Sequence, residues 1–306
     1  MKRSAKFRRL AIVATGLLAA AATAQSRQVP DSAFDARVVE PAFPHRHPRL
    51  LYDEAHHNVH RADTTYRAFA QLVANDGVAL SMNREPFTRA LLARYRILVI
   101  AGPLGADLGD EARAGSAAFT EAEIRAVVRW VRAGGGLLLL TDHEPVASAS
   151  AALVRAFGVT PSRAVVVDRE HRFENFYPTN VLATPENGLL RRHPVSCGVR
   201  RVVVFGGQSL SFAPDALVLA VGETAQPGEA GASLGSGQVG AFRYGRGRVV
   251  ITGDMGMLSA QLMIEEGRSN PWGMNVPGID NRQLVLNIVR WLANHPGACE
   301  RHGRSR

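Results

Sequence analysis

The chain has 306 residues, with 36 Lys or Arg against 27 Asp or Glu and a formal net charge of +9 at pH 7. Five of the basic residues and none of the acidic ones lie in residues 1–24, so the rest of the chain has 31 basic against 27 acidic residues and a charge of +4. This balance is that of an ordinary solvated surface, and because no basic stripe carries interleaved aromatic residues, the sequence predicts no nucleic-acid partner. Both lysines, Lys2 and Lys6, lie in the same 24 residues, which excludes Schiff-base and P-loop lysine chemistry from the remainder.

Residues 1–24 have the features of a cleavable secretory signal peptide. A basic start is followed by an apolar stretch from Leu10 to Ala22 and by small residues ahead of Gln25. The stretch is too short and too rich in alanine for a membrane span, and no later segment is apolar over the length that a bilayer requires. We therefore predict a periplasmic or secreted protein, cleaved after Ala24, that does not span a membrane.

The rest of the chain divides into three predicted parts. Residues 25–47 contain prolines and show no sustained period, which predicts an extended leader. Residues 48–295 predict one α/β domain, and residues 296–306 a basic tail. The two cysteines, Cys197 and Cys299, would reach an oxidising compartment, where a disulfide bond and two unpaired thiols are both consistent with the sequence.

Apolar runs alternate with amphipathic patterns from residue 48 onward. The alternation predicts an α/β fold with a doubly wound, mostly parallel sheet, and a Gly/Ser-rich loop at 227–238 predicts a β-hairpin extension. RLLYD, RILVIAG and LLLLTD are expected to be neighbouring parallel strands. The predicted helices lie around TYRAFAQLV, FTRALLARY, TEAEIRAVVRWVRA, ASAALVRAFG and RQLVLNIVRWLAN, and the predicted strands are RLLYD, VALSM, RILVIAG, LLLLTD, VVVFGG, ALVLAVG, VGAFRYG and RVVITGD.

The clearest helix begins after Thr120. Thr120 and Glu123 have the spacing of a capping box, in which each side chain binds a backbone N–H at the start of the helix. A stripe of apolar residues follows on one face, and Gly134 is placed to end the helix.

Polar residues follow several of the predicted strands. In an open parallel sheet, ligands bind at the carboxyl ends of the strands, so these residues are the candidates for a site. The pattern predicts Asp53, His57, Asp142 and His143 as catalytic residues. It predicts a ligand-binding role for Glu54, Asn58, Gly102, Glu144, Gln208, Asp254 and Asn275.

His56 and His60 are the candidate metal ligands, because their i, i+4 spacing could present both rings to one ion. Imidazole with a carboxylate suits a divalent metal such as zinc, with one position open for water. The same groups without metal could act as general acid and base, or bind a polyhydroxylated ligand by hydrogen bonds. No HEXXH motif is present, and the alternative is a solvated helix start, with strand-end aspartates that only cap the next helix.

Two further features bear on chemistry. No G-x-S-x-G turn joins a predicted strand to a predicted helix, since the one match, GASLG at 231–235, lies in the Gly/Ser-rich loop, so the sequence predicts no serine nucleophile of that type. The small-residue segment 102–118 follows a core strand, and it could be a mobile lid over the site or a disordered loop.

Four stretches together resemble a known family. LLYDEAHHNVH, FTEAEIRAVVRWVRAGGGLLLLTDHEP, GRVVITGDMGMLSAQ and NVPGIDNRQLVLNIVRWLA are similar to exported bacterial proteins that carry a domain of unknown function. The resemblance covers about residues 48–293, with DEAHHN, TDHEP and GDMGM as its most specific parts. It implies a class I glutamine amidotransferase-like, flavodoxin-like domain, and the chain also resembles, more loosely, the trehalose-utilisation-like branch of that superfamily.

The resemblance implies a fold more than an activity. Class I amidotransferases carry their cysteine in a G-x-C-x-G turn, whereas the comparable turn here reads Thr141-Asp142-His143-Glu144-Pro145, so thiol-dependent glutamine hydrolysis is not expected. The leading hypothesis is a hydrolase-like protein with a His/Asp site, with or without a metal, acting on a small polar or carbohydrate-like envelope substrate. The alternatives are a non-catalytic binding or envelope-assembly module and a purely structural protein; the oligomeric state is left open.

One geometric prediction concerns the two stretches richest in histidine and acidic residues, which are residues 53–60 and residues 142–144. If both follow central parallel strands, their ends lie within about 5 to 10 Å, one or two strand spacings. We therefore expect Asp53 or a histidine from residues 56–60 to approach Asp142 or His143 across a concave pocket, with Asp254 at its rim.

Overall fold

The structure is a computed structural model that describes residues 27–174, 176–265 and 267–295. The predicted signal peptide (1–24) and the predicted basic tail (296–306) lie outside the described residues. Within the described ranges, no helix combines the length and the apolar character needed to cross a bilayer. Cys197 is disulfide-bonded, and Cys299 lies outside the described residues.

Strands dominate the described chain, and six helices are interspersed among them. The helices are α1 (Arg67–Asn75), α2 (Arg89–Leu92), α3 (Glu111–Ala114), α4 (Glu121–Arg132), α5 (Val146–Ala156) and α6 (Asn281–Leu292). The strands are β1 (Arg27–Pro30), β2 (Arg49–Asp53), β3 (Ala79–Asn83), β4 (Ile97–Ala101), β5 (Gly136–Leu140), β6 (Thr160–Val167), β7 (Asn180–Ala183), β8 (Val202–Phe205), β9 (Gln208–Ser211), β10 (Leu217–Ala220), β11 (Gln226–Pro227), β12 (Gly237–Tyr244), β13 (Gly247–Thr252), β14 (Ala260–Glu265) and β15 (Arg268–Gly273). Three short 3₁₀ helices cover Pro194–Ser196, Pro214–Ala216 and Gly256–Leu258.

A ten-stranded mixed sheet forms the centre of the molecule. Five strands in the order β3-β2-β4-β5-β13 are parallel, and β12, β9, β6 and β11 continue the sheet as antiparallel strands, with β10 also paired to β12. The prediction that RLLYD, RILVIAG and LLLLTD are neighbouring parallel strands is confirmed, since they form β2, β4 and β5. Their carboxyl ends therefore meet at one edge.

Four of the five parallel strands, β2, β4, β5 and β13, are buried on both faces, whereas the edge strand β3 is partly exposed. Their side chains alternate between two apolar clusters because successive residues of a strand point to opposite faces: Val99 and Leu138 belong to the cluster that includes residues of α1 and α6, and Leu98 and Leu139 to the cluster that includes residues of α4 and α5. Burying each such side chain contributes about 1.5 to 3 kcal/mol. This two-sided burial explains why these strands read as continuous apolar runs.

Helix α4 has the predicted capping box. Thr120 Oγ1 accepts a hydrogen bond from the Glu123 N–H, and the Glu123 carboxylate accepts from the Thr120 N–H at 3.0 Å. Gly134, two residues beyond the helix, has a φ of +126°, a conformation that favours glycine.

Three segments differ from their simplest sequence interpretation. VVVFGG supplies β8, which pairs with β7 in a separate two-stranded sheet. The loop at 227–238 is predicted to join a β-hairpin extension. The strands on either side of it, β10 and β12, do pair antiparallel, but they belong to the central sheet. A short strand at the start of the loop, β11, pairs with β6. The described part of the predicted leader contains β1, which pairs with β14, and Ala36 and Phe43, which are buried in the core.

Candidate functional site

A pocket of about 210 Å³ opens at the carboxyl edge of the parallel strands, beside the ends of β5 and β13. Asp142 lies two residues after β5 and Asp254 two residues after β13, so neighbouring strands deliver one carboxylate each. The remaining lining residues that matter for chemistry or shape are Val59, His60, Leu108, His143, Glu144, Phe205, Met255 and Trp272.

Both carboxylates are held by backbone N–H groups. Asp142 Oδ2 accepts from Met255 N at 3.1 Å, and its Oδ1 accepts from His143 N at 2.8 Å. Asp254 Oδ2 accepts from Phe205 N and its Oδ1 from Gly256 N, both at 2.6 Å. Asp254 thereby joins the end of β8 to the turn after β13, which fixes two walls of the pocket.

The two carboxyl groups hold their protons more tightly than isolated aspartates. Burial raises the pKa of Asp142, against the opposing effects of His143 and of its backbone donors. Burial, followed by the charge of Asp142, raises the pKa of Asp254 from 3.8 to about 7, although its backbone donors oppose the change. Near neutral pH this pair can therefore both give and accept a proton.

His60 contributes a neutral imidazole to the pocket wall. Its burial lowers its pKa from 6.5 to about 4. The ring is stacked on Tyr66 with 4.8 Å between centroids, and its Nδ1 lies 2.9 Å from the hydroxyl oxygen of Thr65. Tyr66 in turn donates its hydroxyl hydrogen to the carbonyl of Met255, a residue of the same pocket. The ring is therefore held in place without a charged partner.

His56 lies elsewhere, in a buried chain of polar groups. Its Nδ1 is 2.8 Å from Asp53 Oδ2 and its Nε2 is 3.0 Å from Glu123 Oε1. The rings of Phe87 and Phe119 lie 4.7 and 4.6 Å from the imidazole centroid. Both ring nitrogens are thus occupied by carboxylates, and the chain links the end of β2 to the start of α4. We name this set the Asp53–His56–Glu123 network.

Asn58 and His57, which follow His56 closely in the chain, do not line the pocket. Asn58 donates to Asp53 Oδ2 at 3.1 Å and so supports the network. His57 is about half exposed, and its Nδ1 lies 2.7 Å from Asp107 Oδ1 on the segment 102–118. That segment contains α3 and brings Leu108 to the pocket.

The other sequence candidates have local partners. The side chain of Glu54 is buried and ion-paired with Arg61 at 3.0 Å. Gln208 donates to the Thr141 hydroxyl at 3.0 Å, and Asn275 donates to Asp31 at 2.9 Å. Gly102 packs so closely that a Cβ there would lie 2.4 Å from Met255 Sδ. Only Glu144 of this group reaches the pocket wall.

The structure therefore joins one of the histidines of residues 56–60, His60, to Asp142, His143 and Asp254 in a single pocket. Asp254 is fully buried in its wall and does not stand at its rim. Among the described residues, no group of three or more His, Cys, Asp or Glu side chains is arranged to hold a metal ion. Sequence reasoning missed the apolar residues Phe205, Met255 and Trp272, because nothing in their local pattern distinguishes them from core residues.

Removing the charge of Asp142 should lower the midpoint at which Asp254 titrates. Asp142→Asn keeps the side-chain size but removes a negative charge that helps to raise the pKa of Asp254 to about 7, so that pKa should fall toward its ordinary range. Carboxyl-carbon NMR across pH 3 to 9 would follow the titration. Asp168→Asn, at another buried aspartate that follows a strand, is the control and should leave the midpoint unchanged. An unchanged midpoint in Asp142→Asn contradicts the charge interaction.

The same shift predicts how stability depends on pH. Because the folded pKa of Asp254 is about 7 and its ordinary value is 3.8, the native state binds more protons than the unfolded state between these pH values. Its contribution to the free energy of unfolding should therefore decrease as pH rises through that window. Urea unfolding of wild type and Asp142→Asn at pH 4, 5.5 and 7 would test this, and an equal slope in both proteins would contradict it.

Comparison with solved structures bears on the fold. A structure titled "mmIFT52 N-terminal domain" aligns with a TM-score of 0.59 at 16% identity, over 80% of this chain and 97% of that one. The likeness shows the fold alone. Looser alignments include a ThuA-like protein from Parabacteroides merdae, with a TM-score of 0.46 at 14% identity over 81% and 90% of the two chains, and a GMP synthase protein from Thermoplasma acidophilum, with 0.38 at 10% over 86% and 100%. No family model and no curated protein matches the sequence.

Proposed function

We propose that this protein is an exported hydrolase that uses Asp142 and Asp254 as an acid–base pair on a small polar or carbohydrate-like substrate. The observation that carries the proposal is the raised pKa of two buried carboxyl groups beside one concave pocket. Buried carboxyl pairs with raised pKa values are characteristic of sites that must donate and accept protons near neutral pH.

The proposed roles follow from burial and contacts. Asp254, fully buried and protonated in part near pH 7, is the proton donor, and Asp142, whose side chain is 12% exposed, is the acceptor that activates water. His143, whose side chain is 57% exposed, binds the substrate at the pocket mouth. Phe205 and Trp272 supply an apolar wall against which a sugar ring can lie.

The pocket volume limits the ligand. Pockets for drug-sized molecules measure about 300 to 1,000 Å³, whereas this one measures about 210 Å³. We therefore propose a small substrate, or the terminal unit of a longer one. The proposed mechanism uses no divalent ion such as zinc. The carboxylate oxygens of Asp142 and Asp254 each accept a backbone hydrogen bond instead.

A non-catalytic binding module is the second candidate. The observation that favours it is that Asp254 accepts hydrogen bonds from the backbone N–H groups of Phe205 and Gly256. These bonds hold the pocket wall in place, which is a structural role and does not depend on catalysis. In that case the pocket would bind a ligand and release it unchanged.

A hydrolase screen with matched variants separates the two candidates. The screen would use chromogenic glycosides and short esters with wild type, Asp142→Asn, Asp254→Asn and the control Asp168→Asn, which alters a buried aspartate outside the pocket. Loss of general acid–base catalysis should reduce kcat by about 100-fold or more in both pocket variants, and Asp168→Asn should retain activity. Binding of a sugar in a thermal-shift assay without turnover by wild type would instead favour the binding module.

Family and compartment are part of the same proposal. We propose that the domain is a doubly wound, flavodoxin-like member of the class I glutamine amidotransferase-like superfamily, in the exported family that the sequence resembles, and that it acts in the periplasm or outside the cell. N-terminal sequencing of protein recovered from the periplasmic fraction should begin at Gln25. Recovery of the chain in the cytoplasm with Met1 retained would contradict export.

A further inference from the structure

A second pocket, of about 740 Å³, lies at the opposite edge of the sheet. It is bounded by α2, by the residues that precede β4, and by the end of α4 with the glycine turn that leads into β5. Since β4 and β5 are each five residues long, it is separated from Asp142 by the strand length, roughly 15 Å. We name it the arginine pocket.

Four arginines line the arginine pocket, and no acidic residue does. Arg89 and Arg129 are exposed, as is Arg132, while Arg96 is half-buried with its guanidinium donating to the carbonyl of Gly134 at 2.6 Å. None of the four has a carboxylate oxygen within 4.0 Å among the described residues. By contrast, Arg61, Arg113, Arg125 and Arg290, elsewhere on the protein, each pair with an acid.

Aromatic rings complete the walls. Two more arginines, Arg49 and Arg94, lie over the ring of Tyr95, at 4.7 and 5.9 Å from its centroid. The indole of Trp130 packs directly on Gly135, where a Cβ would lie 2.4 Å from the ring. Among the arginines of the lining, Arg132 lies over the ring of Tyr244 at 5.2 Å and donates to its hydroxyl at 3.2 Å. Such contacts hold a guanidinium group in place, which lowers the entropy lost when it binds a ligand.

Helix ends account for the positions of these arginines but do not balance their charge. Arg129 and Arg132 are in the last turn of α4 and Arg89 is in the last turn of α2, where a positive charge is favoured. Arg96, just before β4, donates to a carbonyl of the turn after α4. A helix end has only about half a negative charge, so two helix ends leave most of the charge of four arginines unmatched. A cluster of like charges without acids in its lining repels itself, so an anion that occupies the pocket would remove that repulsion.

We propose that the arginine pocket binds a phosphate-bearing ligand, either free or as the headgroup of an anionic lipid. Guanidinium groups match the geometry of phosphate oxygens and form paired, charge-assisted hydrogen bonds with them. The concave shape favours a group carrying two or more phosphates, or one phosphate with an apolar portion against Trp130 and Tyr95.

Titration calorimetry with pyrophosphate, and co-sedimentation with vesicles, would test the proposal. The vesicles would contain phosphatidylcholine alone or with about 30% phosphatidylglycerol, an anionic content chosen to give a strong surface potential. The variants are Arg89→Gln/Arg129→Gln and, as a control, Arg67→Gln/Arg155→Gln, two exposed arginines outside the pocket that have no acid partner in the described chain. Circular dichroism would establish that both variants fold.

Wild type should bind at least one of the two probes, and the affinity should fall by about tenfold or more in Arg89→Gln/Arg129→Gln but by less than about twofold in the control. Binding of pyrophosphate alone would identify a free phosphate-bearing ligand, and binding of the anionic vesicles alone a lipid headgroup. Equal weakening in both variants would attribute binding to net charge and overturn the proposal, as would the absence of binding to either probe. Because the pocket is at the other edge of the sheet, these variants should leave any hydrolase activity unchanged.

Discussion

His56→Ala should lower the free energy of unfolding by about 3 to 5 kcal/mol, as is typical when one member of a buried ionic network is removed. The substitution leaves the carboxylates of Asp53 and Glu123, both buried, without their shared partner. It also empties the space between the rings of Phe87 and Phe119. Urea unfolding at pH 6 followed by circular dichroism would measure the change.

The neighbouring histidine supplies the matched control. His57 is also paired with an acid, Asp107, but the two side chains are 47% and 89% exposed. His57→Ala should therefore change the free energy of unfolding by no more than about 0.5 kcal/mol. Similar losses in the two variants would show that the Asp53–His56–Glu123 network has no special part in holding the end of β2 to α4.

The network should also be sensitive to pH. Burial opposes the charged form of His56, but the hydrogen bonds and charges of Asp53 and Glu123 outweigh it and raise the pKa of the ring. A histidine whose pKa is higher in the folded state contributes stability that is present below the unfolded pKa of 6.5 and is lost as pH rises through the folded value. The difference in stability between wild type and His56→Ala should accordingly shrink above that range.

Asp76→Ala should be equally damaging, at about 3 to 5 kcal/mol, because it leaves Arg290, whose side chain is largely buried, without an acid. Asp76 is fully buried, and its carboxylate accepts from Arg290 at 2.6 and 2.8 Å and from the N–H of Ala42 at 2.8 Å. The side chain thus ties the segment before β2 to the end of α1 and to α6. Limited proteolysis should show faster cleavage within residues 37–46, and urea unfolding should show the loss of stability.

Asp35→Ala is the control for that experiment. Asp35 forms the same kind of pair with Arg37, at 2.6 Å, but both side chains are largely exposed. Solvent screens such a pair, so stability and the rate of cleavage should be unchanged within error. Resistance of residues 37–46 to cleavage in Asp76→Ala would mean that this segment is held mainly by β1 and by the apolar contacts of Ala36 and Phe43.

That RLLYD, RILVIAG and LLLLTD are neighbouring parallel strands could be predicted, because their residues are buried on both faces and they follow one another in the alternation of strands and helices. Runs such as RILVIAG and LLLLTD have no polar face, and that is the pattern of a parallel strand covered by helices. The placement of VVVFGG could not be predicted in this way, since β8 has the same composition but pairs with β7 outside the central sheet. Composition fixes burial, whereas the choice of partner strand depends on contacts between residues far apart in the chain.

The site could be predicted only in part. Strand ends located Asp142 and Asp254, since parallel strands bring their carboxyl ends together. The separation of His56 from His60 could not be read from the sequence, because an i, i+4 pair shares a face only within a helix, and residues 56–60 form no helix. Glu123 was visible as a capping residue, but its bond to His56 spans 67 positions.

The sequence by itself determined the alternation of strands and helices, the start of α4 and the edge of the sheet at which acids gather, since each depends on local periodicity or on a rule for strand ends. Tertiary structure decided which acids line the pocket. Asp53 and Asp142 are both strand-end aspartates, but a histidine between two carboxylates occupies the first, while only backbone donors hold the second beside Asp254. Burial and partners distant in the chain cause this difference. Burial raises the pKa of Asp142, whereas the carboxylate of Asp53 is bound to His56.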